Sequence, residues 1–533
     1  MPNGDTLHFL NSPASAQWRR IGARRRAGVL VPLFSVYSKE SVGIGQFTDL
    51  APLGKWAASA GLGILQLLPL NDVGSRFCPY DAESSFALDP MYLDLARLRE
   101  VSLAPFKKAV ARLAARFKIR PPAVDYRIKP AKLEWLWEIF QKNRPARRSG
   151  FWRYAAAQAF WLPDYACFKA LKERFDGRSW EEWPADLRDR RPGPLRDFEK
   201  ERAERVEFFQ WLQWQSACQL GEAKRSLRAR GVFLMGDLPF LVSRDSADVW
   251  ARPGYFKLDL AAGAPPDEMF PGGQKWGMPP YRWEKISGER YGYLAQKLRT
   301  AGDFYDLFRI DHFVGFFRLW TIPVGEGDGV GFFDPPDEKL WEGQGRQILS
   351  AILESAPMLP CAEDLGMVPR CSAPVLREFS VPGMEVQRWA RTEDEKLKEP
   401  GEYRPNSTAV ISTHDTSPLV GWWESDCPEG ERARFWSAFG LTGKPSSACT
   451  PALAEAALAH SSRSASVFSI QLLQDWFALG GPRQREFAAR RVNVPGTVND
   501  RNWTALMPCP LEELGRLGLH QKIKTILRQT GRL

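Results

Sequence analysis

The chain has 533 residues, of which 44% are hydrophobic and 26% charged, a balance typical of a globular protein and not of a disordered one. Its net charge of +10 comes from 73 basic residues interleaved with 63 acidic ones, which favours a solvated basic surface over a nucleic-acid site. The sequence contains no apolar run of the roughly 18 residues that a membrane span needs, and no signal peptide is recognised. The eight scattered cysteines form no C-x-x-C pair, so we expect a cytoplasmic protein without disulfides or structural metal.

Eight short apolar runs recur along the chain, separated by segments with helical periodicity. The predicted strands are, in chain order, residues 29–34, 63–70, 232–242, 305–313, 358–365, 383–389, 408–412 and 465–473. A helix is predicted near residues 50–60, directly after the first strand and a glycine-rich turn. This alternation is typical of an α/β fold with a parallel sheet, and eight such units predict a (β/α)8 TIM barrel.

A long segment without strand patterns separates the second predicted strand from the third. Apolar residues recur there at helical spacing over residues 95–116, 132–141, 154–175 and 198–228. We therefore predict a single catalytic barrel chain over residues 1–533, with a helical subdomain inserted at approximately 95–230.

Three acidic residues each end a predicted strand: Asp311, Glu363 and Asp415. Barrel enzymes place catalytic side chains at these ends, and a pair of carboxyl groups is what retaining glycoside chemistry requires, one to attack the anomeric carbon and one to exchange a proton. Arg309 lies two residues before Asp311 and so faces the same side of the strand, where it would keep the carboxylate ionised. His414 is a candidate donor to a sugar hydroxyl. Structural ion pairs around a barrel rim are the alternative.

Sequence blocks along nearly the whole chain resemble those of the 4-α-glucanotransferase family, which includes the amylomaltases and disproportionating enzymes. FRIDHF, AEDLG and STHDT resemble the family's fourth, fifth and seventh strand signatures. The further matching blocks are CPYDAESSFALDPMYLDL (78–95), GDLPFLVSRDSADVW (236–250), GAPPDEMFPGGQKWGMPPYRW (263–283), VPGM (381–384) and NVPGTVNDRNW (493–503). The blocks run in the family's order from about residue 28 to 506, and the block at 263–283 is especially specific.

The resemblance implies a role for each of the three acids and for several neighbours. Asp311 would be the nucleophile, Glu363 the acid/base, and Asp415 the residue that stabilises the oxocarbenium-like transition state. Substrate-binding roles are implied for Tyr80, Asp237, Gln274, Trp276, Arg309 and His414. Of these, the tyrosine would stack on the sugar, the aspartate, arginine and histidine would bond its hydroxyls, and the glutamine and tryptophan would belong to a loop that closes over the glucan.

The implied activity is transfer of an α-1,4-glucan segment to the 4-hydroxyl of glucose or another glucan, with no metal or organic cofactor. The opening block VPLFSVYSKESVGIGQF and LLPLND (67–72) resemble the plant cytosolic and some bacterial branches, although no starch-binding module is seen ahead of the barrel. Two alternatives stay open from sequence: an α-amylase-type hydrolase with the same three acids, and a non-catalytic glucan-binding scaffold. Glucan length, acceptor preference, pathway, cyclic products and oligomeric state also stay open, and we expect neither nucleic acid nor membrane as a partner.

Overall fold

The computed structural model describes residues 8–75, 77–267, 270–327 and 330–533. These residues form twelve strands, in chain order β1 (Arg26–Leu30), β2 (Ile64–Gln66), β3 (Phe233–Leu238), β4 (Leu260–Ala264), β5 (Gln274–Lys275), β6 (Leu307–Ile310), β7 (Leu319–Pro323), β8 (Phe332–Asp334), β9 (Leu359–Ala362), β10 (Gly383–Val386), β11 (Ser407–Val410) and β12 (Phe468–Leu472). They belong to two sheets, one parallel and one antiparallel.

The parallel sheet is a nearly closed eight-stranded barrel with the order β10-β11-β12-β1-β2-β3-β6-β9. All its paired neighbours run parallel. Between the two end strands, the backbone N–H of Ala362 donates to the carbonyl of Pro382 at 2.7 Å. The strands read as continuous apolar runs because helices cover their outer faces and side chains fill the interior. The predicted (β/α)8 barrel is therefore confirmed.

Each of the eight predicted apolar runs overlaps a barrel strand, but the first prediction was displaced. The run at 29–34 was expected to be the strand, whereas β1 begins at Arg26 and ends at Leu30. Pro32 has no N–H to give to a ladder, and residues Leu33–Ser35 turn into a short 3-10 helix. At Gly28 a Cβ would lie 2.8 Å from the carbonyl oxygen of Ile64, so glycine lets β1 and β2 approach closely.

The predicted helical insertion lies between β2 and β3. Its helices are Lys107–Arg116, Ile128–Lys142, Gly150–Ala157, Leu162–Arg174, Ala185–Arg188, Pro192–Glu201 and Ala203–Arg228. The last of these buries Phe208, Trp211 and Leu220, and its packing against Leu162–Arg174 and the barrel explains the helical periodicity. The treatment of residues 95–230 as a separate subdomain stays a prediction.

The remaining helices surround the barrel or follow its strands. They are Ser15–Ile21, Leu50–Ser59, Ala247–Ala251, Trp283–Gly288, Gly292–Gly302, Trp341–Ser355, Ser372–Phe379, Leu419–Gly421, Glu429–Ala438, Pro451–Arg463, Leu473–Phe477, Pro482–Ala489, Leu511–Leu514 and Leu519–Gln529. Within the described ranges, no helix combines the length and apolar character needed to cross a bilayer.

The antiparallel sheet, of order β5-β4-β7-β8, was not expected from the sequence. Its strands are two to five residues long and come from the segments that follow β3 and β6. The glycine- and proline-rich block at 263–283, expected to be a loop, contributes one of its hairpins. Gly263 pairs with Lys275 and Ala264 with Gln274; a Cβ at Gly263 would lie 2.0 Å from the carbonyl oxygen of Gln274. This hairpin carries Trp276 to the mouth of the barrel.

Candidate active site

The polar residues predicted from sequence meet at the carboxyl ends of the barrel strands. Asp237 lies in β3 and Arg309 in β6, and the two are direct partners in the ladder. Asp311 and Glu363 come immediately after β6 and β9, and Asp415 follows β11. Because the carboxyl ends of parallel barrel strands open on one face, side chains separated by up to 178 positions in the chain share one cleft.

A single guanidinium, that of Arg309, joins three of these carboxylates. Its Nη1 donates to Asp237 at 2.9 and 3.0 Å and to Oδ1 of Asp311 at 2.9 Å, while Nη2 lies 3.7 Å from Oε2 of Glu363. The Arg309 residue is 8% exposed. Burial by itself would lower the pKa of Arg309, but the surrounding carboxylates outweigh that effect and raise it well above the usual value. The centre of the site is therefore a permanent positive charge.

The burial of Glu363 favours its protonated form. Its Oε2 accepts from the backbone N–H of His312 at 2.8 Å and its Oε1 from that of Leu365 at 3.1 Å. Burial raises the pKa of Glu363 to about 8 and the negative charge of Asp311 adds to the rise, whereas Arg309 and the two backbone hydrogen bonds oppose it. At neutral pH this carboxyl carries a proton and can give it away.

Asp415 has the opposite environment. Its Oδ1 accepts from Nδ2 of Asn493 at 2.7 Å, its Oδ2 lies 3.2 Å from Nε2 of His414, and its backbone carbonyl accepts from Arg491 at 2.7 Å. Burial would raise the pKa of Asp415, but the charge of His414 and the hydrogen bonds from His414 and Asn493 outweigh it and lower the pKa to about 2. The Asp415 side chain is 43% exposed, so an ionised carboxylate faces the cleft.

His414 was expected to donate to a sugar hydroxyl, which stays a prediction; in the structure its Nε2 lies 3.2 Å from Oδ2 of Asp415. Burial would lower the pKa of His414, but Asp415 outweighs it and raises the pKa. The imidazole also stacks on the ring of Tyr80, with centroids 5.2 Å apart and planes at 15°. Tyr80 in turn donates its hydroxyl to Oδ2 of Asp237 at 2.8 Å. His414 thus covers one face of the Tyr80 ring, and the ring of Trp503 lies nearby with its centroid 5.8 Å away.

Gln274 and Trp276 lie together on the antiparallel hairpin. The indole N–H of Trp276 donates to Oε1 of Gln274 at 3.2 Å. The Trp276 ring is partly exposed and meets the imidazole of His312 nearly edge-on, at a centroid distance of 4.8 Å and an angle of 83°. The backbone N–H of His312 binds Glu363. The β4–β5 hairpin that carries Trp276, here called the aromatic hairpin, is therefore linked to a catalytic candidate through a single residue, His312.

Several residues that contact the predicted acids were not singled out from the sequence, among them His312, Arg491 and Asn493. His312 has a left-handed backbone with φ of 44°, uncommon outside glycine, and this conformation points its N–H at Glu363. Asn493 opens the block NVPGTVNDRNW, which was noted as a unit, but its partner Asp415 lies 78 positions away. The position of Asn493 within that block was the only sequence feature that could have identified it as a site residue.

The described residues include no group of three or more His, Cys, Asp and Glu side chains placed to hold a metal ion. The expectation that the reaction needs no metal or organic cofactor stays a prediction.

Comparison with known proteins gives one consistent result. A family model described as 4-alpha-glucanotransferase matches residues 31–510. The chain is 34% identical over 520 residues to a 4-alpha-glucanotransferase of Chlamydia pneumoniae, covering 96% of both chains. It is 32% identical over 475 residues to that of Thermus thermophilus, covering 84% of this chain and 88% of the relative. The amylomaltase from Streptococcus agalactiae, solved in complex with acarbose, superimposes with a TM-score of 0.82 at 25% identity, over 96% of this chain and 100% of that one.

Proposed function

The chain belongs to the 4-alpha-glucanotransferase family, and on that premise we propose how its residues carry out transfer between α-1,4-glucans. The enzyme is a 4-alpha-glucanotransferase, and its substrates are α-1,4-glucans. We propose a retaining double displacement. Asp311 attacks the anomeric carbon while Glu363 protonates the leaving oxygen of the cleaved glycosidic bond. Glu363 then takes the proton from the 4-hydroxyl of an incoming glucose or glucan as that oxygen attacks the anomeric carbon and displaces the Asp311 carboxylate.

The assignment of the nucleophile rests on charge and access. Asp311 shares Nη1 of Arg309 with Asp237, and its side chain is 27% exposed, so its carboxyl group is accessible from the cleft. The guanidinium neutralises repulsion between the two aspartates and holds the attacking oxygen in one direction. Glu363, with a side chain only 15% exposed, is the better proton donor because burial keeps it neutral at pH 7.

Asp415 is proposed to stabilise the positive charge that develops on the sugar ring. Its pKa of about 2 keeps it ionised throughout the physiological pH range, and a fixed carboxylate beside an oxocarbenium-like centre lowers the barrier without moving. Asp237, Arg309 and His414 are proposed to bond the hydroxyls of the same sugar, and the ring of Tyr80 is proposed to stack on it.

The aromatic hairpin is proposed to favour a sugar over water as the acceptor. Water is present at about 55 M, so a glucan reacts with the covalent intermediate in preference to water only if it is bound and oriented. Well-oriented groups can reach effective molarities of about 10⁵ M or more. Trp276 offers a partly exposed indole beside His312. Gln274 offers a side-chain amide on the same hairpin. Stacking on the indole would place the acceptor hydroxyl next to Glu363.

The observation that carries the mechanism is the shared guanidinium, which brings Asp311 and Glu363 into one cleft in different environments. Incubation with maltotriose tests it: a transferase yields glucose with a ladder of longer and shorter glucans, whereas an α-amylase-type hydrolase yields glucose and maltose. The D311N variant, which keeps the shape of the side chain without its charge, should produce neither pattern. A wild-type enzyme that forms no product longer than maltotriose would refute transfer.

We also propose that the enzyme works in the cytoplasm. All eight of its cysteines carry free thiols, as is usual in a reducing compartment. Fractionation of the source cells, with activity assayed in each fraction, tests this location.

A further inference from the structure

Tyr80 reaches the active site on a loop whose two ends meet. The backbone N–H of Glu83 donates to the carbonyl of Asp72 at 2.7 Å, which closes a loop of residues 72–83 around the tyrosine. Near the first end, Gly74 has a left-handed φ of 60° and donates its N–H to Oδ1 of Asp72 at 3.2 Å. A Cβ at Gly74 would lie 2.0 Å from Oε1 of Glu83, so the Glu83 carboxylate rests directly on the opposite end of the loop.

One ammonium group from the helical insertion contacts both ends. Lys169, in the helix Leu162–Arg174, places Nζ 2.5 Å from Oε2 of Glu83 and 3.0 Å from Oδ2 of Asp72. One turn earlier, the hydroxyl of Tyr165 donates to the same oxygen of Asp72 at 2.7 Å. Lys129, from the helix Ile128–Lys142, approaches the other oxygen of Asp72 at 2.8 Å. All these side chains are buried or nearly so.

Such a buried cluster is poorly explained as a source of stability. Desolvation of charges often cancels their attraction, and well-packed apolar residues commonly stabilise a fold as well or better. Burial would lower the pKa of Lys169, but Asp72 and Glu83 outweigh it and raise the pKa, so the ammonium keeps its charge. What a buried ion pair does supply is a fixed geometry, and Tyr80 needs one, because its hydroxyl must lie within hydrogen-bond distance of Asp237 while its ring stacks on His414.

We propose that Lys169 is a positioning residue, whose ammonium pins both ends of the loop 72–83 and thereby holds Tyr80 against Asp237 and His414. This inference rests on the role proposed above for Tyr80 in binding the sugar. It gives the helical insertion a part in the reaction, although none of its described residues is placed among the reacting groups.

The chain contains a matched control on the same helix. Lys172 lies one turn after Lys169 and also pairs with a carboxylate of a barrel loop, Asp245, at 2.6 Å, but it has no contact with the loop 72–83 in the described structure. K169M and K172M each remove one largely buried ammonium, so both should lower Tm. Only K169M should lower kcat/KM on maltotriose, by at least about tenfold, whereas K172M should change it less than about twofold.

A double-mutant cycle with Y80A, which removes both the ring and the hydroxyl, separates positioning from general damage. If Lys169 acts through Tyr80, adding K169M to Y80A should cost less than about threefold in kcat/KM, far below its effect alone. E83Q, which keeps an acceptor oxygen but removes the charge, should behave in the same way with a smaller loss, and it decides the matter if K169M does not fold. Losses that multiply in the cycle, or equal losses in K169M and K172M, would overturn the inference. Normal turnover by D311N in the same assay would instead overturn the proposed function.

Discussion

Glu363 should set the alkaline limit of activity, because it must be protonated to release the leaving group. Burial, with the charge of Asp311, raises its pKa from 4.5 to about 8 against the opposing effect of Arg309. That change disfavours the ionised form by about 5 kcal/mol, since each pH unit corresponds to about 1.4 kcal/mol. With a pKa of about 8, roughly nine-tenths of the carboxyl is protonated at pH 7 and one-tenth at pH 9. We therefore expect kcat/KM on maltotriose to fall about tenfold between these two values.

The E363Q variant identifies the group responsible for this fall of kcat/KM at alkaline pH, the alkaline limb of the pH profile. Its residual kcat/KM on maltotriose should be low and nearly independent of pH between 7 and 9, because glutamine does not titrate. On α-maltosyl fluoride the same variant should release a burst of fluoride, since fluoride leaves without a proton, and then stall for want of a base. A wild-type profile without an alkaline limb near pH 8, or a limb that persists in E363Q, would refute the assignment.

Stability gives a second measurement of the same pKa. Between pH 4.5 and about 8 the folded state keeps a proton on Glu363 that the unfolded state has released, so the free energy of unfolding falls as pH rises through this window. E363Q lacks that proton equilibrium. The Tm of E363Q relative to the wild-type enzyme should therefore increase from pH 5 to pH 8, and a constant difference would contradict the raised pKa.

Three further substitutions test the remaining assignments. W276A should reduce the ratio of transfer to hydrolysis on maltotriose about fivefold, from roughly 1 kcal/mol of lost stacking, whereas W320A, which alters the same antiparallel sheet, should lower Tm and leave the ratio unchanged. N493A removes a hydrogen bond to ionised Asp415, so the pKa of Asp415 should rise. The acidic limb of the kcat/KM pH profile should then move to higher pH, and activity at the optimum should fall roughly tenfold. An acidic limb that does not move would contradict this. D311N should lose turnover by orders of magnitude and still bind maltotriose in a calorimetric titration; near-normal turnover would exclude Asp311 as the nucleophile.

The barrel was predictable because its strands are buried on both faces. Continuous apolar runs of strand length, such as that at 232–242, are typical of buried parallel strands when helical segments separate them. The displaced first strand shows the limit of this signal, since a run of Val, Leu and Phe continues past Pro32 although the proline ends the ladder. The antiparallel sheet was missed for the opposite reason: strands of two to five residues in glycine- and proline-rich segments carry no usable periodicity.

The candidate site was predictable where strand position decides it and not where loop geometry does. Asp311 and Glu363 directly follow strands, and Arg309 shares a face with Asp311 by the two-residue period of a strand. No such rule predicts that Asn493 contacts Asp415 or that the N–H of His312 contacts Glu363. Both contacts depend on how irregular segments fold back over the barrel. His414 was singled out from the sequence, but its contact with the adjacent Asp415 was not predicted, since that contact also depends on loop geometry.

The proposed division of roles between the two neighbouring carboxyls, Asp311 and Glu363, rests on small differences in their placement. Asp311 lies 2.9 Å from the Arg309 guanidinium with a side chain 27% exposed, whereas Glu363 lies at 3.7 Å with a side chain 15% exposed. Burial, with the negative charge of Asp311 adding to it, raises the pKa of Glu363 against the opposing effect of Arg309. The two carboxyls therefore lie in unequal environments around one arginine, and this difference supports the proposed roles of nucleophile and acid.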